Sequence, residues 1–250
     1  GHGADGEPSG MGLGFFIAKT LLERSGATVV LQNREAPDSG AGVVLFPEAN
    51  LTSYYFPYVV ELEPKAVEEA LGAAREAASR HDIWVIVGTI RKTSDRFLNL
   101  MHVINPEGRV VHEYAKINLA GRDEKKYCRG GDKLSLFEID GVLCTMVICR
   151  DGRHPELYRL RAMAGAQVLF QPSCSSDEIE AVAWKRTSGR AQQPVGPNSK
   201  IFHCVANNVG QSPDGKQTTS GASFIREPSG IPLAEAGFYQ EELIGADMSV

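Results

Sequence analysis

The chain has 250 residues, a formal net charge of −5 and no basic block, so its composition gives no support to a nucleic-acid or anionic-membrane partner. No apolar run reaches the length of a membrane span, and the N-terminus lacks a signal-peptide pattern. The 5 cysteines, at 128, 144, 149, 174 and 204, form no CxxC pair and no Cys/His cluster with zinc spacing. That pattern speaks against a disulfide framework or a structural metal and fits a reducing cytoplasm.

Residues 1–12 are glycine-rich and without periodicity. Leu13 to Arg24 reads as a helix stopped near Ser25-Gly26, with a short strand from Thr28 to Leu31 and a turn-rich connection after it. Val43 to Phe46 is a buried strand ending at Pro47-Glu48. From Pro64 to His81, Val67, Ala70, Leu71, Ala74 and Ala78 fall on one stripe and Glu68, Glu69, Arg75 and Glu76 lie mostly off it, which predicts an amphipathic helix. Ile83 to Ile90 is another buried strand, and Leu98 to Ile104 and Val110 to Tyr114 flank the turn Asn105-Pro106-Glu107-Gly108 as a hairpin. Residues 118–135 read as a polar loop.

Leu143 to Ile148 is a mostly apolar run of strand length; Cys149 follows it, then the polar stretch RDGRH, and Pro155 opens a helix to Ala164. Further on come a strand from Gln167 to Gln171 and a helix from Glu178 to Arg190 with Ile179, Val182 and Ala183 inward. Strands from Ile201 to Ala206, Gly221 to Ile225 and Leu243 to Met248 complete the chain. Short apolar strands joined partly by helices and partly by hairpins predict an α/β layered fold with mixed sheets.

A cysteine at a strand's end, with a tight turn and a helix start beyond it, can be held outward like the serine of a nucleophile elbow. Backbone N–H groups there can receive an oxyanion. The stretch is equally compatible with Cys149 as a small buried hydrophobe. Three other ionisable residues close or follow strands: Glu48, Lys116 and Glu124. Singly, each also reads as solvated, and a lysine at a hairpin end usually points into water.

Taken in order, VVLFPEANL, YAKINL and an apolar strand ending in CRDGRHPE resemble the nitrilase superfamily of carbon–nitrogen hydrolases, from about Gly42 to Val250. The resemblance implies a four-layer αββα sandwich and a catalytic triad of Glu48, Lys116 and Cys149. In it Glu48 takes the thiol proton and later hands one to the departing amine, and Lys116 with the backbone N–H of Arg150 stabilises the tetrahedral oxyanion. Glu124 stands where many members carry a second glutamate that orients substrate or water and ties down the lysine. The implied substrate is a small-molecule amide, N-carbamoyl compound or nitrile, processed through a thioester without a cofactor; a homo-oligomer is compatible with it. Arg153 is placed like the arginine that binds the substrate carboxylate in the N-carbamoyl amino acid hydrolase branch. Arg150 and Arg153 are equally readable as structural partners of Asp151 and Glu156. Tyr54 is placed as a pocket wall, Asn207 as part of loop architecture, and His154 as a neighbour of Cys149 whose side chain diverges from it.

The segment GMGLGFFIAKTLLERSGATVVLQNREAPDSGA instead resembles the C-terminal end of a sensor histidine kinase ATP-binding domain, with its last glycine box at Gly10 to Gly14. The asparagine-bearing box, the adenine-reading aspartate and the phospho-accepting histidine region are missing, so no kinase activity is expected. The expected organisation is a histidine-kinase-like fragment over 1–41 in place of the hydrolase's first strand and helix. A carbon–nitrogen hydrolase domain over 42–250, truncated at both ends, follows. Two alternatives to a working thiol hydrolase stay open: an ATP-binding module through the glycine box, and an inactive chimeric remnant.

Overall fold

In the computed structural model, which describes residues 42–178 and 200–248 (of 176–178 the backbone only), two mixed sheets lie face to face with a helix on the outside of each. The first sheet has the order β1-β2-β3-β4. Its strands are β1 Val43–Leu45, β2 Trp84–Lys92, β3 Phe97–Ile104 and β4 Val110–Ala115, with β1 parallel to β2 and the rest antiparallel. The second sheet is built from β5 Phe137–Ile139, β6 Val142–Met146, β7 Val168–Ser173, β9 Phe202–Asn207, β12 Phe224–Arg226 and β13 Pro232–Glu235, in the order β13-β12-β9-β7-β6-β5. The strands β6, β7 and β9 run parallel. A small third sheet joins β8 Ser176–Glu178, β10 Val209–Gln211 and β11 Gln217–Ser220.

Alternation along the strands separates the layers. Ile86, Met101 and Val103 of the first sheet meet Met146, Ile148 and Phe170 of the second in the central core. Val85 and Val87 point the other way, onto Ala70, Leu71 and Ala78. Those three belong to the helix α2 Pro64–His81, which forms with the predicted bounds. Proline at its first turn loses no helical hydrogen bond, and Asp82, at φ 52, closes the other end in the left-handed conformation. On the outer face of the second sheet, Val147 and Leu169 pack on Tyr158 of the helix α4 Glu156–Met163. The four-layer αββα sandwich is thus present.

The predicted hairpin is found as β3 and β4, and the remaining differences are local. The polar loop 118–135 contains the helix α3 Arg122–Tyr127, and the four-residue helix α1 Phe56–Val59 was not predicted. The expected strand Leu243 to Met248 does not form: 241–248 has no ladder partner, and Leu243 is 50% exposed. The expected helix Leu13 to Arg24, the strand Thr28 to Leu31, the glycine box and the body of the helix Glu178 to Arg190 lie outside the described residues.

One glycine positions the loop after β1. A Cβ on Gly88 would lie 2.5 Å from the backbone nitrogen of Ala49 and 2.7 Å from the Met101 sulfur. This close approach lets Gly88 N–H donate to Asn50 Oδ1 at 2.7 Å and Gly88 O accept from Leu51 N–H at 3.0 Å. Gly88→Ala is expected to push this loop off β2, with about 1–3 kcal/mol lost in a denaturant titration and a parallel fall in any activity that depends on Glu48.

Candidate active site

The sites marked by sequence converge between the sheets' C-terminal strand ends. Glu48 follows β1, and Lys116 follows β4, where its N–H donates to the Asn99 carbonyl of β3 at 2.9 Å. Lys116 Nζ lies 2.7 Å from Glu48 Oε1 and 3.0 Å from Glu124 Oε2, and all three side chains are fully buried. A lysine expected in water at the end of a hairpin is therefore enclosed between two carboxylates. The third charge comes from α3, whose first turn turns Glu124 inward, where the Ala120 N–H caps Oε2 at 2.5 Å. Glu124 is thus no solvated member of its charged run. The ring of Tyr54 faces the ammonium, with Nζ 5.3 Å from the ring centroid.

Cys149 begins a 3₁₀ turn, Cys149–Arg153, and holds φ 46, a left-handed conformation that L-residues with a Cβ adopt only under constraint. The constraint is Asp151, which is fully buried. Its carboxylate accepts from Tyr114 Oη at 2.8 Å, Asn118 N–H at 2.7 Å and Asn118 Nδ2 at 3.0 Å, and from the Ile117 and Ile148 N–H groups at 3.3 Å. The cysteine turn is thereby tied to the segment just after Lys116. From the other side, Gln171 of β7 donates to the Cys149 carbonyl at 3.4 Å and accepts at 3.0 Å from Nε2 of His203, whose imidazole burial holds neutral.

The charges act on each other strongly. Burial raises the Glu48 carboxyl above the ordinary carboxylate range, with Lys116 and Asn99 pulling against it. Burial opposes the Lys116 charge, but Glu48, Cys149 and Glu124 outweigh it and hold the ammonium well above its usual range. Burial and the adjacent Glu48, to which the thiol is hydrogen-bonded, push Cys149 up to about 12. Glu48 Oε2 accepts from the Cys174 N–H at 2.9 Å, and the same N–H reaches toward the Cys149 sulfur. Tyr54 is held protonated by burial and by the nearby Glu48 and Glu124.

Glu48, Lys116, Glu124, Cys149 and Tyr54 are therefore brought together. Arg150 is half-buried and Arg153 exposed, and among the described residues neither makes an ion pair. Asp151 is satisfied by other donors, and Glu156 pairs instead with His154, 3.5 Å away, so the structural pairing considered for the two arginines is not formed. His154 thus turns away from Cys149. Asn207 accepts from Ser175 N–H at 2.9 Å and donates to the Gly221 carbonyl at 2.7 Å, a loop-building role. Sequence reasoning passed over Asn99, which is buried and donates to both Glu48 and Glu124. The available signal was a lone amide in the strand FLNLMHVI, whose other polar side chain is His102. Among the described residues no group of His, Cys, Asp and Glu side chains is arranged to hold a metal ion, and no helix is long and apolar enough to cross a membrane.

Two mixed sheets between helices, with a thiol, an ammonium and two carboxylates gathered at their strand ends, form a nitrilase-type fold. The chain belongs to the carbon–nitrogen hydrolase family, whose model matches residues 20–250. It is 29% identical over 223 residues to a 2-oxoglutaramate amidase of Bacillus subtilis, covering 86% of this chain and 81% of the relative. It is 27% identical over 226 residues to the omega-amidase NIT2 of Homo sapiens, covering 87% and 80%. Among solved structures it resembles an amidase from Nesterenkonia sp. AN1 with acrylamide added at the active-site cysteine, at TM-score 0.70 and 23% identity over 81% of this chain and 78% of that one. The family match begins at residue 20, inside the stretch 1–41 assigned above to a kinase-like fragment. The hydrolase thus extends further toward the N-terminus than the sequence reading drew it, and none of these matches points to a histidine kinase or a chimera.

Proposed function

We propose that this protein hydrolyses small-molecule amides through a thioester on Cys149. The observation that carries the reading is the enclosed Lys116 ammonium, bonded to two carboxylates beside a thiol on a strained turn. With its pKa near 12 the thiol rests protonated, so no preformed thiolate attacks. Its proton passes to Glu48 as sulfur bonds to the amide carbon, and Lys116 with the Arg150 N–H holds the oxyanion. Glu48 returns that proton to the leaving ammonia. Water, deprotonated by Glu48, then attacks the thioester; the C–S bond breaks, Glu48 passes that proton to the departing sulfur, and the carboxylic acid leaves. Glu124 keeps Lys116 in place, and Tyr54 walls the acyl pocket.

The name of the Bacillus subtilis relative points to an amide that also carries a carboxylate. Arg150 and Arg153, without ion pairs among the described residues, are the cations on the cysteine turn available to bind one. Ammonia release is to be measured with 2-oxoglutaramate, butyramide, an N-carbamoyl amino acid and an aliphatic nitrile, beside iodoacetamide labelling of each cysteine. The expected result is turnover of 2-oxoglutaramate above the others and protection of Cys149 by substrate. No ammonia from any of the four, with all cysteines labelled alike, would overturn the assignment. Because Glu48 must be ionised and burial raises its pKa, kcat/KM is expected to fall on the acid side at a pH above the ordinary carboxylate range.

A further inference from the structure

We propose that Asn99 is a positioning residue, one amide group that clamps both carboxylates of the site in place around Lys116. This rests on the functional reading above. Asn99 lies on β3 opposite Ile90 and is 1% exposed. Its Nδ2 lies 2.7 Å from Glu48 Oε1 and 2.7 Å from Glu124 Oε1, so its two hydrogens go to different carboxylates. Its carbonyl accepts the Lys116 N–H, so the same residue fixes the backbone of the ammonium and both of its counter-charges. The Oδ1 atom finds no hydrogen-bond partner among the described residues. Rotating the amide to satisfy it would set an oxygen against two carboxylate oxygens, so the carboxylates themselves dictate the orientation.

The chemical need is plain. Two buried carboxylates share one ammonium, which leaves an excess negative charge beside a thiol that must also give up a proton. A neutral double donor supports both anions without adding a second cation that would hold Glu48 too acidic to act as a base. Glu48 is faced by Lys116 from the end of β4, Glu124 from α3, Cys149 from the 3₁₀ turn, the Cys174 N–H beyond β7 and Tyr54 from the loop after β1. Asn99 is the neutral side chain among them that touches both carboxylates.

The test compares the wild type with Asn99→Leu, which keeps the volume and removes both donors, and Asn99→Asp, which keeps the shape and replaces the donor by a carboxylate. Two pH profiles are read: kcat/KM for 2-oxoglutaramate, and the rate of iodoacetamide labelling at Cys149, which needs no turnover. In both variants the acid limb is expected to move to higher pH by about one unit, with kcat down roughly 10- to 100-fold. A variant that loses activity with its acid limb unmoved, or one within about two-fold of wild type, would overturn the proposal. If Asn99→Leu does not fold, Asn99→Asp decides alone. Should the wild type hydrolyse no amide while the labelling profile still shifts, the clamp stands and the substrate assignment falls. An unshifted labelling profile in an active enzyme sinks the clamp alone.

Discussion

Cys149→Ala is expected to abolish amide turnover, by at least about 10⁴-fold, because in the proposed mechanism it removes the atom that bonds to the acyl group. Cys174→Ala, which retains the backbone N–H used by Glu48, is expected to keep measurable turnover. The backbone of Cys149 adds a signature that a general folding defect would not give. At φ 46 Cys149 occupies a conformation that a Cβ disfavours. Cys149→Gly should therefore be as inactive as Cys149→Ala yet more stable than the wild type by roughly 1 kcal/mol. Ammonia release and a denaturant titration check the two halves. A Cys149→Ala enzyme with wild-type rates would remove the thioester from the mechanism.

Lys116→Met carries the second large effect. It leaves Glu48 and Glu124 buried with no cation, and breaking a buried pair in this way costs about 3–5 kcal/mol. The sign of its pH dependence follows from the same charges. Without the ammonium, the buried Glu48 carboxyl holds its proton more tightly in the folded chain than in the unfolded one. The variant is then least impaired below the unfolded carboxyl range and loses further stability as pH rises through and above it. Urea midpoints at pH 5 and pH 8 should show the larger deficit at pH 8. An equal deficit at both would mean that the lysine contributes packing alone. In either condition turnover should be lost, since the oxyanion keeps only the Arg150 N–H.

Much of the architecture was legible because it rests on local rules. The stripe of Val67, Ala70, Leu71 and Ala78 with proline ahead of it defines α2, and Asn105-Pro106-Glu107-Gly108 defines the β3–β4 hairpin. The failures are those of context. Leu243 to Met248 has the composition of a strand but pairs with no other strand. The small third sheet was missed because QTTS and VGQ carry little apolar signal. In the site, Glu48, Lys116, Glu124 and Cys149 could be nominated from the order of three short signatures. Their burial could not, since water is excluded by groups that meet only in the folded chain. Asn99 was passed over because one amide in a strand ordinarily faces solvent, and the two carboxylates that turn it inward lie 51 and 25 residues away.

Glu48 and Lys116 hang from one sheet, and Cys149 hangs from the other. The proposed reaction centre therefore bridges the seam where Met101 and Ile86 lean on Met146 and Phe170. A slip of the two layers by a fraction of an ångström leaves hydrophobic contact nearly intact but parts a proton donor from its acceptor. For this molecule catalytic rate is thus a finer gauge of how the halves are seated than melting temperature, and conservative repacking deep in the middle should dim the enzyme well before it loosens the fold.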